Sequence, residues 1–275
     1  MPDRFATLDA VRAKIDSIDK DLHRLMVERT RLARDVWKSK DRSMAGLAAI
    51  RPAREAQMLR AFAKGHRGKM PLPVLWRIWR ELIIANIRAQ SPVAVHVAEK
   101  ADDRDSHEVW DLARAHFGFD TPMTRHRHGA DAVRAASRDI ALAVLPAETA
   151  AEWATDLAAR KRFHIFDALP QITAPHAPDL LPKGPVVYLA GDVALEPCGT
   201  DTSVVLVQAG RDTALKEADR QGLRVKSCQV IGSTTLLGLD GLQASQMPAD
   251  QLWGNIEVQA LGAHADALIW EAEND

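Results

Sequence analysis

Arg29 falls on a seam of apolar residues, Leu8, Val11, Ile15, Ile18, Leu22, Leu25, Leu32 and Val36, at the one position where the alternating spacing of three and four is not filled by an apolar side chain. A guanidinium there is costly unless an anion meets it. Lys40 follows eleven residues later, three turns plus roughly 20° at about 100° per residue, so on one helix the two cations share a face. Arg12 precedes Lys40 by twenty-eight residues, roughly 42 Å of helix, and points about 80° away from it. No small ligand touches both on one helix. If Arg12 also serves a site, that site is built mainly by a second copy of the chain, which implies an intertwined homodimer with two equivalent pockets. Arg54 and Glu55 at the start of a second helix, and Asn86 and Gln90 on the apolar face of a third, add polar groups to the same small unit.

Each of these residues has a plainer alternative. Arg29 and Lys40 could be rim charges that snorkel out of the seam, Arg54 and Glu55 a solvated helix start, and Asn86 with Gln90 an inter-helix hydrogen-bond pair. The combination argues for a site, because several independent polar intrusions on core faces of one helical unit are seldom all structural.

The elements that must position these groups follow from periodicity. The seam predicts one long helix over Leu8 to Lys40 packed against others, and Asp41 to Ile50 reads as a loop. Pro52 suits the first turn of a second helix that Gly65 and Gly68 stop. A third helix follows Met70-Pro71-Leu72-Pro73, with Leu75, Ile78, Trp79, Leu82 and Ile83 as its apolar face, and ends at Ser91-Pro92.

Over the 275 residues the net charge is −1, but residues 1–90 carry 20 Lys and Arg against 10 Asp and Glu, and the remainder carries 16 against 27. The first part is built for anions. A nucleic-acid backbone binder would carry its cations on an exposed stripe rather than on an apolar seam, so no nucleic acid is expected. Cys198 and Cys228 lack metal-ligand spacing, and no metal is expected. With no apolar leader and no run of eighteen apolar residues, the expectation is a cytoplasmic protein with no membrane partner.

The order Arg12, Arg29, Lys40, Arg54-Glu55 and Gln90 on one long and two shorter helices resembles the all-helical chorismate mutase family, over about residues 7–90. The resemblance implies a three-helix, intertwined dimer that rearranges chorismate to prephenate with no cofactor. It implies that Arg29 of one chain and Arg12 of the other clamp the carboxylates with Arg54 assisting, that Lys40 and Gln90 donate to the breaking ether oxygen, and that Glu55 accepts from the ring hydroxyl. Arg51 and Asn86, counted with the substrate-binding residues, are departures. Arg51 stands where the family usually has an acidic residue and Asn86 where a small hydroxyl residue is common, and the preceding loop is slightly longer. A related fold removes pyruvate from isochorismate; Arg54-Glu55 and Gln90 favour the mutase. A rival of another class is a non-catalytic mutase-like scaffold or sensor.

From Val93 the periodicity changes to an α/β pattern. Strands are expected at Val93 to Ala98, Asp139 to Pro146 and Pro185 to Ala190, and helices at Ser106 to Phe117, Ala130 to Ser137 and Ala147 to Arg160. A Pro-rich linker at Thr173 to Gly184 precedes the third strand. A β-α-β-β run then comprises Thr202 to Gln208, Asp212 to Gln221, Arg224 to Val230 and Thr234 to Leu239, with a further strand near Asn255 to Leu261. The expected division is 1–91 helical domain, 92–190 α/β region and 191–275 small α+β region. Through Trp110 to Gly118, Asp139 to Pro146 and Gly199-Thr200-Asp201-Thr202-Ser203, this half more weakly resembles a shortened prephenate dehydratase followed by an ACT domain. Pro185-Val186-Val187 replaces the family's Thr-Arg-Phe triplet, which implies a degenerate dehydratase. The ACT-like part departs from the effector-binding signatures at Asp212 to Leu215 and Lys226 to Gln229, leaving an amino-acid effector as an open alternative. His126 and His128 beside Arg125 and Arg127 read as a solvated loop rather than a metal site.

Overall fold

The computed structural model describes residues 7–38, 47–99, 103–173, 186–240 and 250–271. The helical part consists of α1 (Leu8–Lys38), a short 3₁₀ turn (Leu47–Ala49), α2 (Pro52–Gly65) and α3 (Leu72–Gln90). Thr7 opens α1, its hydroxyl accepting from the Ala10 N–H, and Pro52 sits in the first turn of α2, where its missing N–H costs nothing. Then follow β1 (Val95–Ala98), α4 (Asp103–Phe117), β2 (Met123–His126), α5 (Gly129–Asp139), β3 (Leu142–Pro146), α6 (Ala150–Ala158), β4 (His164–Leu169), β5 (Ile172–Thr173) and β6 (Val187–Gly191). The last part holds β7 (Asp201–Val207), α7 (Arg211–Arg220), β8 (Arg224–Ile231), β9 (Thr234–Asp240), β10 (Asp250–Trp253), β11 (Ile256–Ala265) and β12 (Leu268–Ile269). The fold class is therefore a helical region followed by a mixed α/β region, as the periodicities indicated. The linker expected at Thr173 to Gly184 lies, beyond Thr173, outside the described residues.

One sheet runs through both parts of the acidic half in the order β2-β1-β3-β6-β4-β11-β7-β9-β8, with β10 paired to β11. Its first strands, β1 and β3, are parallel to each other, and β6 is antiparallel to both β3 and β4. The join between β4 and β11 is made where Gly262 pairs with Ile165. Gly262 has φ of +134°, and a Cβ there would meet the Ile165 carbonyl oxygen at 2.1 Å, so only glycine lets the strands approach. β1, β3 and β6 are buried along their length, as strands covered on both faces must be.

The helical part is not a separate body. Leu59 of α2 and Leu72, Trp76, Ile83, Ile84 and Ile87 of α3 share one hydrophobic core with β1, β3 and α4. This corrects the apolar face expected for α3. The buried residues are Leu72, Trp76, Arg80, Ile83, Ile84, Asn86 and Ile87, while Ile78 is 40% exposed. α3 carries apolar residues on more than one side because the α/β half covers one face, and periodicity alone does not say which face is covered.

α1 differs. Leu8, Val11, Ile15, Ile18, Leu22, Leu25 and Leu32, the seam, are between 44% and 64% exposed in the single chain. Among the described residues no helix is long and apolar enough to cross a membrane.

Candidate active site

The last turns of α1, the 3₁₀ turn, the start of α2 and the end of α3 enclose an open cavity of about 450 Å³. Six residues singled out from the sequence line it: Arg29, Arg51, Arg54, Glu55, Asn86 and Gln90. Pro52 starts α2 just early enough to place Arg54 and Glu55 in its first turns, and Ser91-Pro92 ends α3 at Gln90, one turn beyond Asn86. Leu32, Met58, Ile83 and Ile87 supply the apolar walls. Burial pulls the Arg29 guanidinium below its ordinary value. A charge partly stripped of water acts more strongly on an anion brought next to it. Three guanidiniums and one carboxylate around apolar walls suit a small polyanion with a carbon ring.

Several expected residues are placed differently from a simple ligand shell. Arg12 is exposed, 3.7 Å from Asp9, and does not line the cavity. Lys40 lies outside the described residues. Arg51 donates through Nη2 to both carboxylate oxygens of Glu196, at 2.7 and 2.9 Å, so its charge is already partnered from the loop before β7. Asn86 is buried and donates to the Leu82 carbonyl at 2.7 Å, within its own helix.

Glu55 is buried and accepts from Arg80 Nη1. Arg80 is also buried, and its Nε and Nη2 donate to the His116 carbonyl at 3.2 and 3.0 Å. Its Nη2 also meets His116 Nε2 at 3.0 Å. A guanidinium only donates, so His116 Nε2 accepts and the ring is neutral, in line with burial and Arg80 holding its pKa well below the ordinary value. Asp167 lies in the same buried group. It accepts from the Ala168 N–H at 2.8 Å and from Gln171 Nε2 at 2.7 Å, and Gln171 Oε1 accepts from Trp76. Sequence reasoning missed this network. The signal for Arg80 was present: it interrupts an apolar stripe, with Trp76 four residues before and Ile83 and Ile84 just after, as Arg29 interrupts its own seam.

Arg80→Met leaves the Glu55 carboxylate uncompensated and destabilises the chain by about 3–5 kcal/mol, read from the urea midpoint. Glu55→Gln in the same background restores most of that loss, and no restoration would contradict the pairing. Burial, and then the neighbouring Glu55 carboxylate, push Asp167 up to about 7 from 3.8. The folded chain therefore holds a proton that the unfolded chain releases, so this contribution to stability is complete below pH 4 and is lost as pH rises through 7. Relative to Asp167→Ala, the natural chain loses stability across that window at no more than about 1.4 kcal/mol per pH unit. A difference in unfolding free energy that fails to narrow from pH 4 to pH 7 contradicts this.

The histidines also need correction. His126 is not in a loop but at the end of β2, with its Nε2 2.7 Å from His96 Nδ1 on the neighbouring strand β1. His128 Nδ1 is 3.9 Å from Glu152. Four-residue strands rich in Arg and His carry little strand signal, which is why β2 was missed. Among the described residues no group of three or more His, Cys, Asp or Glu is placed to hold a metal.

Fold and cavity together define a helical unit with a cationic, apolar-walled pocket, docked on a mixed sheet. Residues 11–91 match the family model of chorismate mutase type II. Over 91 residues the chain is 33% identical to a bifunctional chorismate mutase/prephenate dehydratase of Pseudomonas aeruginosa, a match covering 32% of this chain. The match spans a quarter of that relative's length. Among solved structures, prephenate dehydratase from Streptococcus mutans aligns with 65% of this chain and 100% of its own. Its TM-score is 0.37 at 12% identity, too low to establish a common fold.

Proposed function

We propose that residues 1–91 convert chorismate to prephenate, as an isomerase of aromatic amino acid biosynthesis, in a homodimer that needs no cofactor. The observation that carries the reading is the convergence of Arg29, Arg54, Glu55 and Gln90 from three helices on one cavity, within the stretch that matches the chorismate mutase model. The reaction is an intramolecular [3,3] rearrangement of a dicarboxylate, so no nucleophile is required. The protein must hold the compact conformer and stabilise charge developing on the ether oxygen. Arg29 and Arg54 bind carboxylate, which planar guanidiniums do through paired hydrogen bonds. Gln90, with Lys40, donates to the ether oxygen. Glu55, oriented by its bond from Arg80, accepts from the ring hydroxyl.

The exposed α1 seam supports the dimer. A row of seven large apolar residues along one helix face is the surface that a second copy covers, and the same docking carries Arg12 of one chain to the pocket of the other. Within this proposal the chain divides at residues 91 and 190, with a dehydratase-like region lacking dehydratase activity and an ACT-like region in which β11 lies beside β7 and β9 beside β8. Arg51, tied to Glu196, shapes the pocket rather than touching substrate.

Parallel assays with chorismate and isochorismate test the reading. The expected result is a kcat/KM for chorismate rearrangement that exceeds pyruvate release from isochorismate by more than a hundredfold, by a species sedimenting as a dimer. Faster pyruvate release would make the protein a lyase, and a monomer would remove the shared pocket.

A further inference from the structure

Arg80 stands between two cavities. Its partner Glu55 lines the cavity described above, and Arg80 itself lines another, of about 320 Å³, between α3, α4 and the turn joining β4 to β5. The walls of this cleft are apolar, with Val74 and Trp76 from α3, Leu112 from α4, and Leu169 and Ile172 from the strands. Its charged groups are Arg77 and Arg80, and none of the residues lining it is acidic. Arg77 is exposed on α3, one turn before Arg80, and among the described residues it has no ion-pair partner. The amide of Gln171, also on the wall, is fixed by Trp76 on one side and Asp167 on the other. The volume is at the lower end of the range for small-molecule sites, which combine apolar walls with a few placed polar groups.

We propose that this cleft binds a small carboxylate carrying an apolar body the size of one ring. Arg77 receives the carboxylate, and Arg80, the next cation inward, senses it. A carboxylate drawn toward Arg80 competes with Glu55 for the same guanidinium, so occupancy of the cleft alters how Glu55 is held in the first pocket. By linkage, a ligand in the first pocket alters affinity in the cleft by the same factor. The cations, the apolar walls and the shared guanidinium make the cleft a regulatory site that reports to the pocket through one buried ion pair. The binding stands on the cleft alone, while the kinetic consequence rests on the mutase reading.

The test uses 3-phenylpropionate as the probe, with 3-phenylpropan-1-ol as its uncharged counterpart, titrated by calorimetry into the full chain and into Arg77→Glu and Arg29→Ala. The expected result is saturable binding of the acid with Kd of about 1 mM. Binding weakens at least tenfold in Arg77→Glu, is unchanged in Arg29→Ala, and is at least tenfold weaker for the alcohol. In the natural chain the acid shifts the KM for chorismate at least twofold, and in Arg77→Glu, which keeps the basal turnover, it does not. No saturable heat overturns the proposal. So does binding that survives Arg77→Glu but is lost in Arg29→Ala, because the acid then sits in the first pocket. Binding at the cleft with no change in KM overturns the coupling. The calorimetric arms read the cleft whether or not the chain turns over chorismate, so failure of this proposal is distinguishable from failure of the mutase reading.

Discussion

Arg29→Ala leaves a folded dimer and lowers kcat/KM for chorismate by about a hundred- to a thousandfold, the loss that follows removal of one preorganised donor to developing or bound negative charge. Arg29 lies on the α1 seam. Its neighbours at three- and four-residue spacing are apolar, and the cavity it lines has Leu32, Met58, Ile83 and Ile87 as walls. Burial already pulls the guanidinium below its ordinary value, so its charge is partly stripped of water. Such a charge is costly to the fold and valuable to an anionic ligand. The same substitution therefore leaves the urea midpoint unchanged or raises it. A structural role predicts the opposite pair of results, a lower midpoint with turnover intact.

Mixing two inactive variants restores activity. Arg12 lies on the exposed face of α1, roughly 25 Å along the helix from Arg29, and does not line its own chain's cavity. Arg12→Ala and Arg29→Ala each damage both pockets of a homodimer. In a heterodimer one pocket receives Arg29 from the first variant and Arg12 from the second, and is intact, while the other pocket lacks both. Random re-association makes half the dimers heterodimers, so turnover recovers to about a quarter of the natural value by two-fold symmetry. Native mass spectrometry shows the heterodimers, and their presence without recovery contradicts a site shared between chains.

What was legible in the sequence was what repeats. The α1 seam, Pro52 at the start of α2, Ser91-Pro92 at the end of α3 and the apolar runs of β3 and β9 are local signals, and each produced an element near its expected place. Part of the cavity lining was legible for the same reason, since Arg29 and Gln90 break apolar patterns whose phase was already set, whereas Arg54 and Glu55, at a helix start, stood out only with the family resemblance. What was not legible depends on contacts far apart in the chain. The buried face of α3 was chosen by the α/β half, and Asp167, 112 residues after Glu55, joins the same buried group only because α2 and α3 dock on the sheet. The β4–β11 join hangs on Gly262 approaching Ile165, a meeting that neither strand announces. Strands β5, β10 and β12, of two to four residues, carry too few residues to show a period, and six-residue β4 was overlooked because His164 and Asp167 interrupt its apolar run.

The measurement that tests the central claim most directly is to incubate the purified full chain with chorismate at neutral pH and to separate the products by chromatography. Prephenate accumulating without phenylpyruvate is the predicted result, a working mutase beside a dehydratase-like region that does nothing to its product. Untouched chorismate, with the dimer intact, would contradict the account and turn the cationic pocket into the binding site of a scaffold or sensor.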